Sequence, residues 1–315
     1  MTTASVLTID LGYLGLPRTA AAFAIVSGDD LALVESGPAA CAPTLQRSLA
    51  ADPRTAGRRV RRVFVTHIHL DHAGAAGHFA TGADRSDVFV HPFGAKHLVD
   101  PTKLIASSRR VHGDAFDRFY GEPIACPAER VHSIPDGGTV EVAPGVSLEA
   151  IETPGHARHH HAWVLRADDR RRAFAGDVAA MIVPDTRFIS VPTPPPEFDL
   201  RAWRTSLDCL RDARLDELFL THFGRVADDA AAVRAHLDAA RRRLDDEAAL
   251  AESIASDWIA GRVSEDEAIA RYGAWLRGAA AEAAVPTWAA ATFLGPAFCR
   301  MNLHGVRRWI ETRPP

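Results

Sequence analysis

Apolar residues in this chain follow two rhythms, and the change between them near residue 224 divides it. Before that point, short apolar runs of strand length alternate with stretches of helical spacing, and Gly, Pro and Asp turns punctuate both. Residues 21–26 and 31–34 flank Gly28-Asp29-Asp30, a hairpin signal. Residues 44–51 have helical spacing, 62–65 predict a strand, 87–90 a second strand and 92–98 a helix. Residues 103–120 predict a helical insertion in which Phe116, Phe119 and Tyr120 form an apolar face. Strands follow at 139–142 and 146–151 around Pro144-Gly145. A hairpin is expected from 161–165 and 172–175 around Asp168-Asp169, then a helix over 200–213 and a strand over 217–220. The proline-rich passage 191–196 excludes central strand and helix interior and is expected to run over the surface near the mouth of a site. Residues 228–315 are alanine-rich, helical in period and hold four of the six tryptophans, which predicts about three to five helices by ordinary lengths. No internal repeat is visible.

The chemistry concentrates where the strand at 62–65 ends, in Thr66-His67-Ile68-His69-Leu70-Asp71-His72. In extended backbone, positions i and i+2 point the same way, so His67 and His69 can grip one ion. Asp71 and His72 then turn away at the start of a helix expected over 71–79, where a second ion could sit. Three isolated positions downstream follow strand-like runs or sit in Gly-containing loops: His156 in Thr153-Pro154-Gly155-His156, Asp177 in Gly176-Asp177, and His222 in Thr221-His222-Phe223-Gly224. Singly each is weak, because a histidine after a strand is more often a core or surface residue than a ligand.

Together, in this order, they carry a resemblance. From about residue 5 to 224 the chain resembles the metallo-β-lactamase superfamily, and within it the glyoxalase II-like hydrolases. The resemblance implies an α/β fold, a four-layer αβ/βα sandwich with the metals at one edge of the sheets. The domain boundaries expected are 1–224 for the catalytic domain and 225–315 for a helical extension serving as lid, packing or dimer contact. It implies that His67, His69 and His156 hold one metal, that Asp71, His72 and His222 hold a second, and that Asp177 bridges both. Imidazoles and carboxylates without thiolates suit zinc first, with iron or manganese also compatible. Many relatives have Asp in a "DTG" segment where this chain reads Glu35-Ser36-Gly37, a position expected to support the site rather than ligate.

The implied reaction is hydrolysis. Two such ions lower the pKa of bound water toward about 7 and supply a bridging hydroxide that attacks an ester, thioester or lactone carbonyl. Asp71 and Asp177 are the candidate catalytic carboxylates, and Tyr13, in the Gly-rich loop Leu11-Gly12-Tyr13-Leu14-Gly15, is a candidate oxyanion donor. His159, His160 and His161 begin the next strand on alternating faces, although one of them can reach the site. The same motif order also fits a persulfide dioxygenase with one iron on His67, His156 and Asp177. A nuclease and a non-catalytic metal-binding protein are the further alternatives.

Composition narrows these readings. The 315 residues carry a net charge of -4, with 47% hydrophobic and 24% charged residues, ordinary for a globular protein and unlike a general nucleic-acid binder. Lys96 and Lys103 are the only lysines, and the basic runs 58–62 and 170–172 read as solvated surface. No signal peptide or membrane span is indicated, and Cys41, Cys126, Cys209 and Cys299 lack any CxxC pairing, as thiols of a reducing, cytoplasmic setting would. The expected partner is a small-molecule substrate, with neither nucleic acid nor membrane, and a homodimer is compatible.

Overall fold

A computed structural model describes residues 3–313. Two six-stranded sheets lie face to face. The first holds β1 (Ser5–Asp10), β2 (Ala21–Ser27), β3 (Asp30–Val34), β4 (Val60–Phe64), β5 (Asp87–Val90) and β6 (Val131–Ser133) in chain order. It is antiparallel from β1 to β3 and parallel from β3 to β6. The second contains β7 (Thr139–Ala143), β8 (Val146–Glu152), β9 (His161–Ala167) and β10 (Arg170–Phe174), then β13 (Glu217–Leu220) and β14 (Gly224–Ala227). A short ladder of β11 (Met181–Ile182) and β12 (Ile189–Ser190) stands apart. In the second sheet β10 and β13 pair in parallel and the other neighbours are antiparallel. Every residue of β2 is buried, which accounts for its uninterrupted apolar run. The expected hairpins form. In the turn between β9 and β10, Asp168 and Asp169 both have φ of 56°, the left-handed pair a two-residue turn demands.

Aromatic rings fill the space between the sheets: Phe23 packs on Phe174 at 5.1 Å and Phe64 on Phe89 at 4.8 Å, with Trp163 edge-on to Phe64. The outer face of the first sheet is covered by α1 (Ala42–Ala51), α2 (Leu70–Ala73), α3 (Ala76–Thr81) and α4 (Pro92–Val99), through Leu45, Phe79 and Leu98. The insertion at 103–120 is helical as expected, in α5 (Thr102–His112) and α6 (Phe116–Tyr120), and Phe116 and Tyr120 close over Leu70. The outer face of the second sheet is covered by α7 (Leu200–Asp212) and α8 (Ala230–Ile259). The result is the four-layer αβ/βα sandwich. Beyond α8 lie α9 (Glu265–Glu282), α10 (Thr287–Phe293) and α11 (Pro296–Thr312), so the C-terminal region holds four helices among the described residues. Their apolar faces continue the core of the second sheet, since one cluster runs from Val178 and Trp203 through Leu244 to Tyr272 and Leu303. No helix among the described residues is long and apolar enough to cross a membrane.

Three departures from the sequence pattern have local causes. The helix expected over 71–79 is broken into α2 and α3, because the Ala75 N–H turns to the Gly37 carbonyl (2.9 Å) instead of continuing the ladder. The strands β1, β6, β14, β11 and β12 are short or at sheet edges and lie outside the expected set. The proline-rich passage is at the surface only in its second half. Val191, Pro192 and Thr193 are buried, because α11 supplies hydrogen-bond partners: the Thr193 N–H donates to Asn302 Oδ1 (3.0 Å) and its hydroxyl to the Asn302 carbonyl (3.1 Å).

Below that strap the Glu247 carboxyl of α8 is wholly buried, receives a hydrogen bond from the Tyr272 hydroxyl and pairs with Arg243 at 3.0 Å. Burial pushes its pKa up from 4.5 to about 7 despite the Arg243 charge. The native state therefore binds more protons than the unfolded chain between these values, so the stability from this group is full below pH 4.5 and falls as pH rises through about 7. The unfolding free energy of the Glu247→Gln variant, measured by urea titration, is expected to fall less between pH 5 and pH 8 than that of the parent. Equal slopes would refute the assignment.

Candidate metal centre

The C-terminal ends of three strands deliver most of the polar cluster. β4 ends at Phe64 and leads into His67, His69, Asp71 and His72; β10 ends at Phe174 and leads into Asp177; β13 ends at Leu220 and leads into His222. His156 comes from the loop between β8 and β9, where Gly155 has φ of 139° and a Cβ would lie 2.3 Å from Trp203 Cα. Only glycine lets that loop sit against α7 and present His156 edge-on to the Trp203 ring.

All seven residues expected as ligands converge. His67 Nε2 and His156 Nε2 each lie 2.9 Å from His69 Nδ1. Asp71, His72 and His222 form a second group, with His222 Nε2 3.5 Å and His72 Nε2 3.9 Å from Asp71 Oδ2. Asp177 stands between them: Oδ1 faces His72 Nε2 (3.3 Å) and His222 Nε2 (3.7 Å), while Oδ2 faces His156 Nε2 (3.4 Å). Within each of the triplets His67–His69–His156, His67–His72–Asp177 and Asp71–His72–His222, the ligand atoms are within 4.8 Å of one another. The donor set fits a divalent cation. His72 Nε2 and Asp177 Oδ1 are buried and lack hydrogen-bond partners, and nitrogen lone pairs converging at 2.9 Å repel unless a cation or proton sits among them.

The family model of the metallo-beta-lactamase superfamily matches residues 15–222. The chain belongs to that superfamily. Among curated relatives it is 28% identical over 148 residues to the metallo-beta-lactamase fold-containing protein ST1585 of Sulfurisphaera tokodaii, covering 46% of this chain and 53% of that protein. It is 28% identical over 170 residues to the probable metallo-hydrolase YqjP of Bacillus subtilis, covering 49% and 51%. The chain thus spans about half the length of the curated relatives it matches. In three dimensions it resembles TTHA1429, a metallo-beta-lactamase family protein from Thermus thermophilus, with a TM-score of 0.63 and 21% identity. That match covers 98% of this chain, its C-terminal helices included, and 93% of the other. ST1585 matches at a TM-score of 0.59 and 20% identity, over 75% and 85% of the two chains.

In this member of the superfamily a second tier of hydrogen bonds sets each ring. His72 Nδ1 lies 2.9 Å from Glu35 Oε1, and that carboxylate also accepts from the Thr66 hydroxyl (2.6 Å) and the Thr221 hydroxyl (2.9 Å). The Thr66 Oγ1 is in turn 3.1 Å from His67 Nδ1. Nδ1 of His156 donates to the Pro192 carbonyl (2.9 Å) and Nδ1 of His222 to the Thr19 carbonyl (2.7 Å). These contacts leave the Nε2 lone pairs facing the cluster. The backbone N–H groups of Ser36 and Gly37 clamp the His72 carbonyl at 2.9 Å, so the Glu35-Ser36-Gly37 segment holds His72 by ring and backbone together.

Electrostatics follow from burial and the carboxylates. Burial lowers the pKa of His67 well below the ordinary value and that of His69 to about 3, with the neighbouring imidazoles adding to the effect, so both rings are neutral donors. Burial opposes charge on Asp71 and Asp177 too, but His72 holds both carboxyls below the usual range, with His222 aiding Asp71 and His156 aiding Asp177. Reciprocally, His72 and His222 have raised pKa values despite burial, because acids surround them: Asp177, Glu35 and Asp71 act on His72, and Asp71 and Asp177 on His222. Protonation of these rings offsets part of the buried negative charge, and a cation taken up there displaces the proton.

The other singled-out residues have definite places. His160 reaches the site: its Nε2 accepts from the Asp177 N–H (3.3 Å) and its Nδ1 contacts the Thr153 hydroxyl (2.8 Å). His159 lies beside His69 with its Nε2 3.0 Å from Glu197, and His161 opens β9 against Trp163. Tyr13 is buried and its hydroxyl pairs with that of Tyr120, which lies 3.1 Å from His112 Nε2. Gly176 has φ of 49°, and a Cβ there would come within 2.6 Å of both His160 Nε2 and Thr66 Oγ1. Thr66, Thr221 and the Thr19 and Pro192 carbonyls were not expected from the sequence, whereas His160 is the member of the 159–161 run that reaches the site. The repeated Thr-His pairs, Thr66-His67 and Thr221-His222, are a signal from which the two threonines could have been found.

Two outcomes follow. Zinc uptake by the metal-free protein at pH 7 is expected to release protons, read by a pH indicator in weak buffer; uptake with no release would contradict the raised pKa values of His72 and His222. Glu35→Gln is expected to weaken zinc binding by about 10- to 100-fold, measured by competition with a chromophoric chelator. Unchanged affinity would remove Glu35 from the support of His72.

Proposed function

We propose that this chain is a metal-dependent hydrolase of glyoxalase II-like type, acting on the ester, thioester or lactone carbonyl of a small molecule. Two divalent ions, zinc before iron or manganese, would be held by His67, His69 and His156 on one side and by Asp71, His72 and His222 on the other, with Asp177 between. The supporting observation is the division of Asp177: one oxygen faces His72 and His222, the other His156. A carboxylate so placed serves two ions at once, and the second triplet is as complete as the first, which favours this reading over a single iron on His67, His156 and Asp177.

Such a pair of ions, when bound, supplies Lewis acidity and hydroxide at neutral pH. The chain's residues do the remainder. Asp71 and Asp177, both held as carboxylates, orient the attacking water. Tyr13 and Tyr120 keep their hydroxyls protonated, because burial raises both pKa values, and the two lie within electrostatic reach of Asp71. Leu70 packs under Phe116 and Tyr120, so the insertion formed by α5 and α6 lies beside the ligand loop. The basic runs offer little to a nucleic acid. They lie where β4 and β10 begin, at the ends remote from the ligands, and Arg61, Arg171 and Arg172 are paired with Asp30, Glu149 and Glu217.

Asp177→Ala is expected to lower bound zinc from two ions to one or none per chain. It is also expected to lower hydrolysis across a panel of esters, thioesters and lactones by at least about 100-fold, with metal read by elemental analysis. Full activity in the metal-depleted variant would sink the proposal. One iron per chain with oxygen uptake on a persulfide would replace it with the dioxygenase reading.

A further inference from the structure

The carbonyl that orients His156 belongs to a strap that the last helix holds. Residues 191–193 pass between the His156 loop and the C-terminal helices, and the Pro192 carbonyl accepts from His156 Nδ1 at 2.9 Å. Proline has no N–H, so the direction of this carbonyl depends on what anchors the residues on either side. Asn302 of α11 anchors both. Its Oδ1 accepts from the Thr193 N–H (3.0 Å), its Nδ2 donates to the Val191 carbonyl (3.4 Å), and its own carbonyl accepts from the Thr193 hydroxyl (3.1 Å). The Asn302 amide is itself fixed, since Nδ2 also donates to the Tyr272 hydroxyl (3.0 Å), which donates to Glu247. Helix and strap touch without a gap: a Cβ on Gly305 would fall 1.8 Å from the Thr193 carbonyl oxygen. Asn302, Thr193, Tyr272 and His156 are all buried, so water cannot substitute for any lost bond.

We infer that Asn302 is a positioning residue of the metal centre. It acts through Val191 and Thr193 on the Pro192 carbonyl and thereby on the His156 ring, which makes α11 a working part of the site rather than only a cover. This rests on the reading of His156 as a ligand of the His67–His69–His156 ion. It adds a group more than a hundred residues further along the chain, with no atom in the cluster.

The test is zinc affinity of the full chain by chelator competition, together with Tm of the metal-free form, for the parent, Asn302→Leu and Leu303→Ala. Leu303 is the buried neighbour on α11 and bonds nothing in the strap, so it reports simple loss of packing. Asn302→Leu is expected to weaken one of the two zinc sites by about 10- to 100-fold and leave the other in place. Leu303→Ala is expected to lower Tm with both affinities intact. Unchanged affinities in Asn302→Leu, or the same loss in Leu303→Ala, overturn the inference. A parent chain that takes up no zinc overturns the reading of the centre itself, and the positioning role with it. Should Asn302→Leu fail to fold, hydrogen exchange on the parent decides. Coupling is reciprocal, so zinc is expected to slow exchange in peptides spanning Thr193 and Asn302 as well as His156. Slowing at His156 alone overturns the inference.

Discussion

The Glu35 carboxylate, buried at the end of β3, joins the two sheets where the histidines converge. It accepts from Thr66, which follows β4 of the first sheet, from Thr221, which follows β13 of the second, and from the His72 ring. A buried carboxylate is tolerable only when such donors surround it, and removing the carboxylate leaves those donors without their partner. Its backbone sits at φ of 66°, a conformation that costs a non-glycine residue on the order of 1–3 kcal/mol. That strain is offset by what the residue holds. With Ser36 and Gly37 bonded to the His72 carbonyl, the edge of the sandwich and the geometry of the cluster are set by one short segment.

Around this point the molecule separates two tasks. The strands bring the side chains to one edge, and oxygen atoms behind them turn the rings. His67 leans on a hydroxyl, His72 on a carboxylate, and His156 and His222 on backbone carbonyls. The inner atoms are thereby left facing one another with an excess of negative charge from Asp71, Asp177 and Glu35. That excess is the electrostatic reason the centre suits a cation, whichever loops shape the cleft above it.

Much of this was legible in the sequence, for a physical reason. Strand period and turn chemistry are local, so both hairpins, the strand before His67 and the helical C-terminal region could be read from spacing alone. The seven clustered residues could be read because their order along the chain matches that of the superfamily; singly, a histidine after a strand end or a glycine says little. What could not be read depends on distant partners. Nothing near residues 191–193 announces that Asn302 will bury them, and nothing in Thr153-Pro154-Gly155-His156 marks His160 as the acceptor for the Asp177 N–H. The break of the 71–79 helix is of the same kind, because the carbonyl that diverts it belongs to Gly37. Edge strands such as β1 and β14 escaped because they are only partly buried, so no continuous apolar run marks them.

The bond from His222 to the Thr19 carbonyl joins residues 203 positions apart. Loops of that span close late, because their entropy must be lost before any contact rewards it. The first six strands and the His67–His72 loop leave the ribosome long before β13 and α11 exist to complete their surroundings. Until then the imidazoles of that loop lack His156, Asp177 and His222 as neighbours. The complete cluster therefore exists only once β13 has joined the second sheet and brought His222 to its edge.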